Sequence, residues 1–157
     1  MEIKDNKEIK FWDHRKENGW LSNFWEAPIE YNDLTYPTSE HLYQALKTNH
    51  SQLYPKYATQ LHDIIRKASS AKEAKNLAHS HRLGATLKEN VNNMRLAIGL
   101  KFDQHPELKE KLVNSVGLII EASITDDVWG IGKNGDGLNL MGLLLMELRT
   151  KLQNGQK

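Results

Sequence analysis

Cysteine is absent from all 157 residues, which excludes disulfides, thiolate zinc sites and a cysteine nucleophile together. No sign of charge dominates either: 21 Lys and Arg stand against 20 Asp and Glu, a formal net charge of +1 with the two signs interspersed. Strong non-specific nucleic-acid binding is therefore not expected, and a nucleic-acid substrate would have to be gripped locally. Long apolar runs are missing. The longest, Leu138 to Met146 with Asn139 and Gly142 inside it, falls far below the roughly 20 residues of a membrane span. Met1-Glu2-Ile3-Lys4-Asp5 contains no apolar signal core, so a cytoplasmic protein without membrane contact is expected. Seven histidines are present, but none forms a His-Glu-x-x-His motif, and His79 and His81 lack a carboxylate at metal-ligand spacing. Neither a metal nor another cofactor is expected. Repeats, low-complexity tracts and Pro/Gly-rich linkers are absent as well, and 39% hydrophobic content suffices for one core. The expectation is a single domain over residues 1–157, ordered from about 8 to 152.

What is present begins with Tyr36-Pro37-Thr38-Ser39-Glu40-His41-Leu42-Tyr43-Gln44-Ala45-Leu46-Lys47. Pro37 biases Tyr36 toward extended backbone, and Thr38 or Ser39 can cap a helix behind it. Counted from Glu40, Tyr43, Gln44 and Lys47 fall at i+3, i+4 and i+7, which places a carboxylate, a phenol, an amide and an amine on one stripe. Leu42, Ala45 and Leu46 form a separate apolar stripe that can hold the helix to a core, leaving the polar stripe to face solvent or a cleft. The commonest meaning of such a pattern is a solvated face with a Glu/Lys pair.

Elsewhere, Ile9 and Phe11 alternate with polar neighbours, and Ile29–Tyr31 and Leu34–Tyr36 flank the turn-forming pair Asn32-Asp33, which predicts a small antiparallel hairpin. Ser70 to Glu73 fits a capping box, and Val91, Met94, Arg95, Ile98 and Phe102 follow helical spacing. A short helix follows His105-Pro106, a buried strand is expected at Leu118 to Ala122, and a last helix from about Leu140 to Leu152. Strands are few and do not alternate with helices. The predicted class is α+β, mainly helical, with a small antiparallel sheet.

Two further segments could carry chemistry. Asp126 to Asn139 is a glycine-rich loop in which Gly130, Gly132 and Gly135 formally match a dinucleotide fingerprint, but too little chain remains for a βαβ unit, and Lys133-Asn134 does not fit a P-loop. What survives is that glycines admit close backbone approach, Asn139 can cap the last helix, and Trp129 is suited to stacking on a base or sugar. An ordinary flexible loop and a half-buried core tryptophan are the plainer readings. In Gly19-Trp20-Leu21-Ser22-Asn23-Phe24-Trp25 three aromatics surround a Ser-Asn pair that could bond a ribose or phosphate, or close a turn of its own.

In order along the chain, Leu21-Ser22-Asn23-Phe24, Tyr36-Pro37 with Ser39-Glu40-His41, Tyr43-Gln44 and Lys47, Lys101-Phe102, Glu121-Ala122-Ser123, Asp126 with Trp129-Gly130-Ile131-Gly132, and Gly137-Leu138-Asn139 with Gly142, Met146 and Arg149 resemble the NADAR family, also called YbiA-like proteins. Each piece is short, but the ordered set spans nearly the whole chain. The resemblance implies an N-glycosidase that hydrolyses the bond between ribose C1 and a nitrogen. Family substrates include phosphoribosylamino-pyrimidine intermediates of riboflavin synthesis and ADP-ribosylated guanine in nucleic acid.

Cleavage of that bond builds oxocarbenium-like charge at C1, which a carboxylate can stabilise while the nitrogen leaves. The resemblance implies Glu40 for that carboxylate, as electrostatic stabiliser or as base for water. Lys47 could capture the ring-opened C1 aldehyde as a Schiff base, which requires a lysine that is neutral part of the time. Asp126 would supply a second carboxylate or orient a sugar hydroxyl, and Trp129 would stack on the base. Ser22, Asn23, Phe24, Tyr43, Gln44, Gly130, Gly132 and Asn139 would line the substrate site. The chain departs from the family at His81-Arg82-Leu83-Gly84-Ala85-Thr86-Leu87, where members often carry an Arg followed closely by Trp, so a different or larger leaving group is expected to be tolerated. The alternatives are a module that binds ADP-ribose or a nucleotide without cleaving it, and an interaction protein whose Trp12, Trp20, Trp25 and Trp129 form an exposed patch.

Overall fold

The computed structural model describes residues 7–155, which run β1 (Glu8–Phe11), β2 (Ile29–Tyr31), β3 (Leu34–Tyr36), α1 (Ser39–Leu46), α2 (Pro55–Arg66), α3 (Ala71–Ser80), α4 (Leu87–Gln104), α5 (Pro106–Asn114), β4 (Leu118–Glu121) and α6 (Leu140–Gly155), with single 3-10 turns at Gly19–Leu21 and Lys47–His50. The class is α+β and mainly helical, and the antiparallel sheet is joined by a parallel one. The backbone divides into two compact units, Met1–Ser22 with Pro106–Lys157, and Asn23–His105.

In the unit Asn23–His105, the hairpin forms with Tyr31 opposite Leu34. Its two-residue turn places Asn32 and Asp33 at φ 49 and 63, the left-handed pair that matches the twist of the flanking strands. Thr38 then caps α1, its side chain accepting the His41 N–H. Helix α1 packs against α2, α3, α4 and β3, so all eight of its residues are buried and its polar stripe is not a solvated face. The capping box expected at Ser70 is half made: Ser70 accepts from the Glu73 N–H, but the Glu73 carboxylate turns to Ser69. A complete box occurs instead at Thr86 and Glu89, at the start of α4. The buried stripe of α4 is Met94, Ala97, Ile98, Lys101 and Phe102, with Arg95 exposed rather than inward. Helical spacing alone favoured the expected stripe, because nothing in the residue type marks a lysine as buried.

In the other unit, β1 pairs in parallel with β4, Ile9 opposite Ile119. Pairing between strands so far apart in sequence leaves no local signature. Only Ile119 of β4 is fully buried, and Leu118 is 54% exposed, so the expected buried strand is an edge. Helix α6 lies on β4 so closely that a Cβ at Gly142 would sit 2.1 Å from the Ile119 carbonyl oxygen, which is why glycine stands there. Arg149 of α6 donates to the Gly117 carbonyl at 2.8 Å and to the Ser115 hydroxyl at 3.1 Å, which pins the connection between α5 and β4. Among the described residues, no helix is long and apolar enough to cross a membrane, and no group of three or more His, Asp or Glu is arranged to hold a metal ion.

Candidate active site

The start of α1 is fixed by the Ser-Asn segment. Asn23 accepts from the Ser39 hydroxyl through its side-chain oxygen at 2.8 Å and from the Glu40 N–H through its backbone carbonyl at 3.2 Å, while its amide reaches Met94 Sδ at 3.0 Å. The Asn23 side chain is thus committed to holding the first turn of the helix against α4. Glu40 follows at once, only 6% exposed, and Gln44 one turn later is 2% exposed. The Gln44 amide donates to Glu40 Oε1 at 2.7 Å, a charge-assisted bond that fixes the carboxylate's direction. Gln44 Oε1 is buried with no hydrogen-bond partner among the described residues, so its acceptor capacity is unspent.

Lys47 closes the helix and opens the 3-10 turn, with Nζ 4.7 Å from the centre of the Tyr43 ring. Burial pushes its pKa below the ordinary 10.5, Lys75 adds to the fall, and Glu40 opposes it. An amine that loses its proton more easily than usual, together with a buried carboxylate, is a pairing that active sites assemble and solvated faces do not. The same unit holds a second such amine that received no role from the sequence. Lys101 is wholly buried in α4, and desolvation lowers its pKa to about 7. Its position in the sequence gave no signal beyond its place beside Phe102 among the family pieces.

Tyr43, Gln44, Lys47, Asn23, Phe24 and Glu40 all belong to the unit Asn23–His105, with Phe24 half-buried. Ser22, Asp126, Trp129, Gly130, Gly132 and Asn139 belong to the other unit. There the glycine-rich segment is a hydrogen-bonded structure rather than a flexible loop. Asp126 Oδ1 accepts from the N–H groups of Val128 and Trp129 at 2.9 and 2.8 Å, which sets the backbone under the half-buried Trp129. Gly132 donates to the Ser123 and Asp126 carbonyls, and the Asn139, Leu140 and Met141 N–H groups bond back to Gly130, Val128 and Trp129. At Gly130 a Cβ would meet the Asp126 and Glu121 carbonyls at 2.9 Å, so the close approach that glycine permits here is to the chain's own backbone. Asn139 does not cap α6 with its side chain. It sits at φ 52, accepts from the Glu121 N–H at 2.9 Å and donates to the Ile119 carbonyl at 3.0 Å, standing in for a strand partner of β4. Of the tryptophans, Trp12 is 63% exposed while Trp20, Trp25 and Trp129 are half-buried, so no exposed patch of four exists.

Comparison with known proteins bears on the family and the fold. The NADAR domain model matches residues 10–153. N-glycosidase YbiA of Shigella flexneri serotype 5b is 36% identical over 146 residues, covering 92% of this chain and 88% of that protein. The riboflavin biosynthesis protein PYRR of Zea mays is 33% identical over 153 residues, but the match takes in only 23% of that protein. The NMR structure of YbiA from Escherichia coli superposes with a TM-score of 0.79 at 33% identity, over 96% of this chain and 88% of that one.

Proposed function

Because the chain belongs to the NADAR family of N-glycosidases, we propose that it hydrolyses the bond between ribose C1 and a nitrogen, with Glu40 and Lys47 as its reacting groups. One observation carries the assignment: α1 buries a directed carboxylate and ends in an amine whose pKa is lowered. A solvated helix face would show neither.

Glu40 stabilises the positive charge that develops at C1 as the C–N bond breaks, or takes a proton from the attacking water. Lys47 offers a covalent route. Its neutral Nζ adds to the ring-opened C1, the base departs as the protonated amine, and an imine to Lys47 remains. Water then adds to the imine carbon, Lys47 leaves as the free amine, and C1 is an aldehyde that closes to the sugar. The sum is one N-glycoside and one water giving free sugar and free base. In this reading the unspent Gln44 Oε1 would accept a hydroxyl of the ribose.

Two substrates suit this chemistry, a phosphoribosylamino-pyrimidine and an ADP-ribosylated guanine. Purified protein incubated with each is expected to release free base and free ribosyl product from one or both. Glu40→Gln should abolish release. Borohydride should trap an adduct in the wild type and not in Lys47→Ala. No turnover of either substrate, or full activity in Glu40→Gln, would defeat the assignment. If neither is cleaved but ADP-ribose binds, the protein is a binding module instead.

A further inference from the structure

Helix α1 is bracketed by two residues that meet the same side chain. Tyr36 ends β3 just ahead of it, and Thr48 lies in the turn just behind it, one residue after Lys47. On α2, His62 Nε2 lies 2.7 Å from the Tyr36 hydroxyl, and His62 Nδ1 lies 3.2 Å from Thr48 Oγ1. The Tyr36 and His62 rings also meet edge to face, with centres 5.8 Å apart. Thr48 spends its own proton on the Ala45 carbonyl at 2.7 Å. It therefore accepts from His62, so Nδ1 carries the ring proton and Nε2 accepts from Tyr36, an assignment fixed by the network.

We propose that His62 is a positioning residue for the reaction: one neutral imidazole ties the chain before α1 to the turn after it, and so fixes the separation and direction of Glu40 and Lys47. The inference rests on the reading of those two residues as the reacting pair.

Three features favour positioning over simple core filling. The contacts of His62 are to the two ends of α1, where a shift would change the Glu40 to Lys47 span. The neighbouring charges are already engaged: Asp63 pairs with Arg66 and Lys67, and Arg66 also donates to the Thr35 carbonyl, so none competes for the imidazole. Burial lowers the pKa of His62, which keeps it in the neutral form that can donate at one nitrogen and accept at the other. Rate depends steeply on such geometry, a displacement of about 1 Å being enough to cost on the order of a hundredfold.

The test reads Lys47 directly and separately reads catalysis. The protein is reductively dimethylated with ¹³C, and the Lys47 signal, identified by its loss in Lys47→Arg, is titrated by NMR. In His62→Phe, which keeps the ring volume but neither bond, the Lys47 midpoint should rise toward the ordinary value by about half a unit or more as the turn loosens. On whichever ribosylated substrate is cleaved, kcat should fall about tenfold to a hundredfold while KM stays within about twofold. His62→Asn, which can still donate to Thr48, should restore most of both. Should His62→Phe not fold, Thr48→Val removes the same link with no change at α2 and should give the same pair of effects. An unchanged Lys47 midpoint in a folded His62→Phe or Thr48→Val protein would overturn the proposal. So would variants that lose activity only in proportion to lost folded protein. If the wild type cleaves no ribosylated substrate while the Lys47 midpoint still follows His62, the link stands and the glycosidase assignment falls.

Discussion

Replacing Lys101 with methionine should change how stability depends on pH. The side chain is wholly buried, and desolvation lowers its pKa from 10.5 to about 7. In the unfolded chain the amine keeps its ordinary value, so between the two pKa values the unfolded state binds a proton that the folded state lacks. Unfolding free energy therefore rises with pH across that window and is lowest, with the full penalty present, below about pH 7. The limiting slope is about 1.4 kcal/mol per pH unit, and integrating from about pH 7.5 to 9.5 gives on the order of 2 to 3 kcal/mol of stability gained. Methionine keeps the length of the chain without the titrating group, so the variant should lack this gain. Urea denaturation of both proteins at the two pH values measures it, because every other titrating group cancels in the difference. Parallel pH dependences would refute the reasoning.

The remaining predictions address the site and its support. Gln44→Leu removes the donor that directs Glu40, and should lower kcat about tenfold to a hundredfold in a protein that melts near the wild type; unchanged kcat would show that the carboxylate needs no such guide. Borohydride trapping should grow more efficient as pH rises, because Lys47 reacts when neutral, with a midpoint below its ordinary 10.5; a pH-independent yield would argue against imine formation at this amine. Gly142→Ala should cost about 3 kcal/mol or more, read by denaturant unfolding, since its Cβ would strike the Ile119 carbonyl; a loss under about 1 kcal/mol would mean that α6 slides freely on β4. Asn139→Gly keeps the backbone conformation but strands two polar groups of β4, at a cost of about 2–4 kcal/mol, and should be no worse than Asn139→Ala; the reverse order would contradict the bridging role of the side chain.

Local signals in the sequence carried most of the elements. Asn32-Asp33 between two β-rich triplets gave the hairpin, Thr38 gave the start of α1, and His105-Pro106 gave the start of α5. Glu40, Gln44 and Lys47 shared a helical stripe by count alone, and the ordered family pieces supplied their chemistry. Misjudged features depended on partners distant in sequence. The inward face of α4 differed because Lys101 lies where the helix faces the core. Asn139 proved to bridge to β4, a role that no residue near it in sequence could have disclosed.

The sequence by itself determined the α+β class and the family, and it singled out the candidate reacting residues, because helical period, turn chemistry and residue identity are properties of short stretches. Only the tertiary structure decided whether those residues stand in water or out of it. Enclosure of α1 by α2, α3, α4 and β3 turns an apparent solvated Glu/Lys face into a buried carboxylate with a half-buried amine on the same helical stripe. It also brings His62 from α2 to both ends of that helix. Burial and long-range hydrogen bonds belong to the packed chain, and they are what shift an amine's pKa and fix a carboxylate's direction.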